Sequence, residues 1–373
     1  MFGTVNRIIL IGNGFDLAHG LETSYKHFMN AFWAKKAERF KSHRLNGISE
    51  TYSHLNKESE YKDDDISVNY IRARLNHSYN TKKLSEVGYE YFIKYITNIL
   101  QQPIRDKYFI NQFLEQITKK EEALKKWVDL EEEYYDALKE CYHEKRKGGV
   151  ITLNEEFLLV KNALESYLID QSSKEIVKSE EINQKIHFPL ERDKDFLRKD
   201  ILNIGYTLFL NFNYTNTEKL YMTEEDKSIH IHGELGNPQN PIIFGYGDEL
   251  DKIYPEIEQK NDNDLLQNIK SIKYLATRNY FELLRFIESN EYQIYVMGHS
   301  CGISDRTLLN TLFEHEHCLS IRVFYHDKGN GINNYDDLSI SISRNFKDKA
   351  LMRKRVINKE DCEPLVKMVK SQD

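Results

Sequence analysis

Short apolar runs lie at the two ends of this chain and are missing from its middle. Arg7–Ile11 comes near the start, and the runs 206–212, 228–232, 241–246, 292–297 and 319–325 follow after residue 205. All six read as strands. Residues 7–33 read as strand, glycine-rich turn and helix, with Ser24 as N-cap of a helix burying Phe28, Ala31 and Phe32. Between 35 and 204 the periodicity is helical, with many charges and tyrosines. Residues 121–142 place Leu124, Trp127, Tyr134, Leu138 and Cys141 at three- and four-residue spacing. Thr152-Leu-Asn-Glu155 reads as a capping box opening a helix with Leu153, Phe157, Val160, Leu164 and Tyr167 on one stripe. Residues 43–65 and 171–185 read as loops. Ile303–His317 reads as a helix capped by Ser304 or Asp305, burying Leu308, Leu309, Leu312 and Phe313.

The simplest architecture is α/β, with a mostly parallel sheet and a large helical insertion. The core is discontinuous, built from 1–34 and 205–345. Residues 35–204 form the insertion, and 346–373 a helical tail. An insertion of that size at a βα loop is expected to cover the carboxyl edge of the sheet as a lid.

Composition narrows the function classes. The 373 residues carry a net charge of −7, which disfavours sequence-independent duplex binding. The basic stretch Lys347–Arg355 reads as a solvated helix face. Cys141, Cys301, Cys318 and Cys362 make no CxxC pair, so neither a disulfide framework nor a four-cysteine zinc module is expected. His315-Glu-His317-Cys318 reads as a helix end with surface histidines, and no metal is expected. A secretory signal and an apolar stretch near 18 residues are both absent. The expectation is a cytoplasmic protein with no membrane partner.

Three polar clusters follow the apolar runs. They are Gly12-Asn13-Gly14-Phe15-Asp16; Asn211-Phe-Asn213-Tyr with His230-Ile-His232-Gly233; and Gly298-His299-Ser300. In an open α/β sheet, ligands bind beyond the carboxyl ends of the strands, so distant clusters can converge on one small-molecule site, nucleotide being the natural class. The first turn serves either the fold alone or a phosphate approached by backbone N–H groups, with Asp16 and His19 following where a ligand would lie. Asn213 either satisfies loop backbone or faces the ligand. His232 has the side chain suited to proton transfer near neutrality, and Gly233 beside it would leave room for substrate. Glu131, four residues after Trp127 on an apolar helix face, needs either a core cation or the ligand as partner. Gly298-His-Ser-Cys-Gly302 matches the GxSxG elbow of α/β-hydrolases, but that fold needs an acid and then a histidine further on. The last histidine, His326, follows too soon. Arg72-Ala-Arg-Leu-Asn-His77 fits a loose pattern of small helical ribonucleases.

The segments IILIGNGFDLAHGLETSYKHF, WVDLEEEY, LNFNYTNT, IHIHGEL, IIFGYGDE and YVMGHSCGISDRTLLNTLF, in that order, resemble the bacteriophage abortive infection AbiH family over residues 5–326. The same clusters resemble, more distantly, the sirtuin-like NAD-binding folds. That resemblance implies NAD as ligand or substrate, with Gly12, Asn13, Gly14, Phe15 and Asp16 along the cofactor; His19 joins them by its place just after the turn. The resemblance implies Asn213 and His232 as catalytic residues; from the residue reading, Glu131 and Gly233 are candidate supports behind them. Gly298, His299, Ser300 and Asp305 fall near the adenosine ribose. Two departures stand out: Gly-Asn-Gly-Phe-Asp replaces the usual Gly-Ala-Gly-x-Ser loop, and the zinc module of the deacylases is missing. The expected activity is therefore NAD glycohydrolysis in antiphage defence. The alternatives are a nucleotide-sensing module that binds a partner, or a nuclease acting through Arg72 and His77. A phage or host protein is the expected trigger, and homo-oligomerisation is compatible with all three.

Overall fold

The computed structural model describes residues 3–35, 112–120, 127–143, 149–191, 194 and 201–367. It divides into two compact units, Met1–Ser24 with Leu168–Asp373, and Tyr25–Tyr167.

The first unit is built on six parallel strands: β1 (Gly3–Ile11), β2 (Ile201–Asn211), β3 (Lys227–His230), β4 (Tyr292–Met297), β5 (Cys318–Tyr325) and β6 (Glu363–Pro364). Their order is β3-β2-β1-β4-β5-β6. This is the order of doubly wound dinucleotide-binding sheets, in which the strand order reverses between β1 and β4. A parallel sheet is covered on both faces, which explains why its strands read as unbroken apolar runs. Alternate side chains sort to opposite faces. Ile8, Leu10, Leu208, Leu210, Ile294, Val296, Ile321 and Val323 pack with Leu283, Ile287, Leu309, Leu312 and Ile342 on one side. On the other, Ile9, Ile11, Phe209, Tyr295, Met297 and Phe324 pack with Ile182, Ile186 and Tyr221. Each such side chain contributes about 1.5–3 kcal/mol by leaving water.

A charge is embedded in the second face. Arg7 is buried in β1, and its guanidinium donates to the carbonyls of Ile186 and Phe188, each at 2.8 Å. It also lies 4.3 Å from the centre of the Tyr295 ring. Those contacts tie the helix Glu180–Ile186 to the sheet.

Several sequence expectations are corrected. The run 241–246 is buried from Ile242 on but makes no strand; it contributes a single bridge, Tyr246 to Ile269. The helix expected over 303–317 is a 3-10 turn, Ile303–Asp305, followed by Arg306–Glu314. Asp305 stands at its N-cap without making a side-chain cap bond. Part of the expected loop 171–185 is helical, because Ser179 caps Glu180–Ile186 by accepting the amide of Ile182. The tail includes the helix Lys349–Arg355 and then β6. On that helix Arg353 and Lys354 are exposed, while Arg355 is buried and donates to the Phe313 carbonyl at 2.5 Å.

The second unit is helical, with Gln112–Lys119 and Trp127–His143 among its helices. Thr152 does not cap a helix: Gly149–Ser172 starts three residues earlier, so the Thr-x-x-Glu pattern lies inside it. Tyr134 and Phe157 pack there with ring centres 4.1 Å apart. Glu131 is buried on Trp127–His143. Residues 43–65, Arg72 and His77 lie outside the described residues. Among the described residues no helix is long and apolar enough to cross a membrane, and no three His, Cys, Asp or Glu side chains are placed to hold a metal ion.

Candidate functional site

The turns after β1 and β4 meet at the point where the strand order reverses. The Gly14 amide donates to the Gly298 carbonyl at 2.8 Å, and the Gly12 amide to the Met297 carbonyl at 3.3 Å. The glycines follow from this approach. A Cβ on Gly298, where φ is +77°, would fall 2.1 Å from the Phe15 nitrogen. One on Gly12 would fall 2.5 Å from His299 Cα. The Phe15 amide donates to the Gly12 carbonyl at 2.8 Å, closing the turn. Two amides of the glycine turn, those of Gly14 and Phe15, are thus engaged within the fold.

Other residues of the turn are also fixed. The Asn13 side-chain oxygen accepts from the Thr23 hydroxyl at 2.6 Å. His19 Nδ1 lies 2.7 Å from the Phe15 carbonyl and Nε2 2.5 Å from the Tyr221 hydroxyl, so both ring nitrogens are in use. Asp16 is different. Its Oδ2 accepts from the Thr215 hydroxyl at 2.6 Å, while Oδ1 is buried with no partner. Burial pushes its carboxyl up to about 6, against the opposing bond from Thr215.

The turn after β2 is organised by Asn211 rather than Asn213. Asn211 donates to the Thr215 carbonyl at 3.0 Å and to Glu218 Oε2 at 2.7 Å, and accepts the Asn213 amide at 2.8 Å. This holds the half-buried Asn213 side chain against β1, donating to the Gly12 carbonyl at 3.0 Å. His230 lies between the Asn213 carbonyl and Glu218 Oε1, at 3.2 and 2.8 Å. Of the two histidines in His-Ile-His, the first therefore braces this turn.

His232 belongs to a second cluster, centred on Asp305. Its Nε2 is 3.1 Å from Asp305 Oδ1 and 3.2 Å from the Tyr274 hydroxyl. Lys270 Nζ donates to the same Oδ1 at 2.8 Å, and His299 Nε2 lies 3.6 Å from Oδ2. The Cys301 amide donates to His299 Nδ1 at 3.0 Å, so the His299 proton sits on Nε2, facing the carboxylate. Phe212 packs across both rings, with centres 5.1 Å from His232 and 4.1 Å from His299. All four polar groups, Asp305, Lys270, His232 and His299, are buried.

Burial works against charge here, and Lys270 decides the balance. Burial alone would raise the Asp305 carboxyl; the Lys270 ammonium and then His232 hold it well below the usual carboxylate range. Burial and then Lys270 lower His232, with Asp305 opposing. His232 is accordingly neutral near pH 7. A neutral ring whose Nε2 hydrogen goes to Asp305 carries its lone pair on Nδ1, the basic position.

Lys270 and Tyr274 carried no signal in the sequence, because Lys-Ser-Ile-Lys-Tyr reads as an ordinary helical turn. The segment IIFGYGDE positions Lys270. The Tyr246 carbonyl accepts the Lys270 amide at 2.8 Å. A Cβ on Gly245 would meet the Asn268 carbonyl oxygen at 2.1 Å, and one on Gly247 the Ser304 carbonyl oxygen at 2.6 Å. Gly233 has a comparable role: φ is +88°, and the space above it is filled by the Pro241 carbonyl rather than left for substrate. Ser300 is half-buried, and the non-glycine residue of its turn that is left-handed is Cys301, at φ +52°. A nucleophile elbow requires that strain at the serine itself.

A family model described as Bacteriophage abortive infection AbiH matches residues 8–327. Neither the curated proteins nor the solved structures give a significant match.

Proposed function

The chain belongs to the bacteriophage abortive infection AbiH family, and from that premise we propose that it is an antiphage effector that binds NAD and hydrolyses it to nicotinamide and ADP-ribose. The observation that carries the reading is the His232–Asp305 pair, with its Nε2–Oδ1 distance of 3.1 Å, at the carboxyl edge of a sheet in dinucleotide-binding order.

Breaking the nicotinamide–ribose bond needs no general acid, because a cationic pyridinium leaves as a neutral pyridine. Water supplies the new C–O bond and must lose one proton. His232 Nδ1 takes that proton, and Asp305 stabilises the resulting imidazolium. Asn213 orients the water or the ribose hydroxyls. The unpartnered Oδ1 of Asp16 is a buried acceptor, and a ribose hydroxyl is a donor of matching kind. Gly12–Asp16, His19 and Gly298–Ser300 belong to the walls of this site in the same reading.

Dinucleotide content in phage-infected cells tests it. Cells carrying the wild-type chain are expected to lose NAD after infection, and cells carrying His232→Ala to keep it. A second reading, a nucleotide sensor without chemistry, is favoured by the enclosure of His232. Protection without loss of NAD, with intact NAD bound to the purified chain, would select that reading.

A further inference from the structure

We infer that Lys270 is a positioning residue that acts through Asp305 to fix His232 as a neutral ring with its proton on Nε2 and its lone pair on Nδ1. The inference rests on the reading of His232 as the reacting base.

The geometry leaves little freedom. Asp305 Oδ1 receives two neighbours, Lys270 Nζ at 2.8 Å and His232 Nε2 at 3.1 Å. A buried carboxylate with one cation is neutral as a pair; adding an imidazolium would place two positive charges around it in a water-poor site. The charged and titratable groups that face His232 include Lys270, Asp305, His299 and the Tyr274 hydroxyl. His299 is fixed as Nε2–H by the Cys301 amide. Only Lys270 among them carries a fixed positive charge.

The orientation follows too. Asp305 Oδ1 only accepts, so it holds the ring proton on Nε2. Tyr274, 3.2 Å from the same nitrogen, borders it on the other side. The stiffness of the arrangement comes from the chain around it. The Lys270 amide is held by the Tyr246 carbonyl, and the Thr307 amide, two residues after Asp305, is directed at the Gly247 carbonyl at 3.4 Å. One glycine-containing strip therefore anchors both members of the ion pair.

The experiment is a pH titration of the intact protein with 15N-labelled histidine, read by NMR, on wild type, Lys270→Met and Lys270→Arg. In wild type the His232 ring is expected to be the Nε2–H tautomer at neutral pH, titrating below an ordinary histidine. In Lys270→Met its midpoint should rise by about 1–3 pH units, because an unpaired carboxylate now faces it. Lys270→Arg should restore the low midpoint. A wild-type His232 that is charged or Nδ1–H at neutral pH overturns the inference, as does a folded Lys270→Met with an unmoved midpoint. If Lys270→Met fails to fold, Lys270→Gln supplies the neutral side chain, with the same rise of the His232 midpoint expected and an unmoved midpoint overturning the inference. Because the readout is not turnover, a failed NAD assay with the expected titration would overturn only the hydrolase reading.

Discussion

The Gly14 amide donates to the Gly298 carbonyl across the gap between β1 and β4, at 2.8 Å. Two turns separated by more than 280 residues thus meet backbone to backbone, at the place where a doubly wound sheet opens its crevice. Gly298→Ala forces a side chain into φ +77° and toward the Phe15 nitrogen. The expected cost is about 2 kcal/mol or more, combining left-handed strain with a backbone clash. Denaturant unfolding of the variant checks it; an unchanged midpoint would mean that the two turns do not meet this way.

The fold was legible where the argument was backbone periodicity. β4 runs over the residues its apolar run indicates, β1 and β5 contain theirs, and β2 takes in all of its run but Phe212. The run 241–246 misled because burial alone looks like a strand; Gly245 and Gly247 instead pack it against Asn268 and Ser304. Asp305 misled in the opposite way. It reads as a helix cap, but its carboxylate is directed to Lys270 and His232. A local rule broken in this manner marks a residue committed elsewhere. Lys270 and Tyr274 were not legible at all, since contact with a histidine some forty residues away leaves no local pattern.

Asp16 makes stability depend on pH. Its folded-state value of about 6 exceeds its ordinary 3.8. Its contribution is therefore fully present below the unfolded value and lost as pH rises through the folded one, a change on the order of 3 kcal/mol. Asp16→Asn cannot ionise. Between about pH 4 and about pH 8, the unfolding free energy of the variant should gain on wild type by roughly that amount. Unfolding curves at the two pH values measure it, and a constant difference would contradict the burial of this carboxyl.

Gly247→Ala probes how the Asp305 cluster is assembled. The added methyl would sit 2.6 Å from the Ser304 carbonyl oxygen and 3.2 Å from Lys270 Cβ. It should push Lys270 and Asp305 apart. Turnover is expected to fall by up to about 100-fold, in line with small misplacements of reacting groups. The rate constant of the folded variant is the measurement, and wild-type turnover would remove this segment from the account.

The most direct test of the central claim is nicotinamide release from NAD by the purified protein, followed by chromatography for wild type and His232→Ala. Wild type is expected to release nicotinamide, and the variant to do so about 10²–10⁴-fold more slowly. Release that His232→Ala leaves at the wild-type rate, or a wild type that neither binds nor cleaves the dinucleotide, would contradict it.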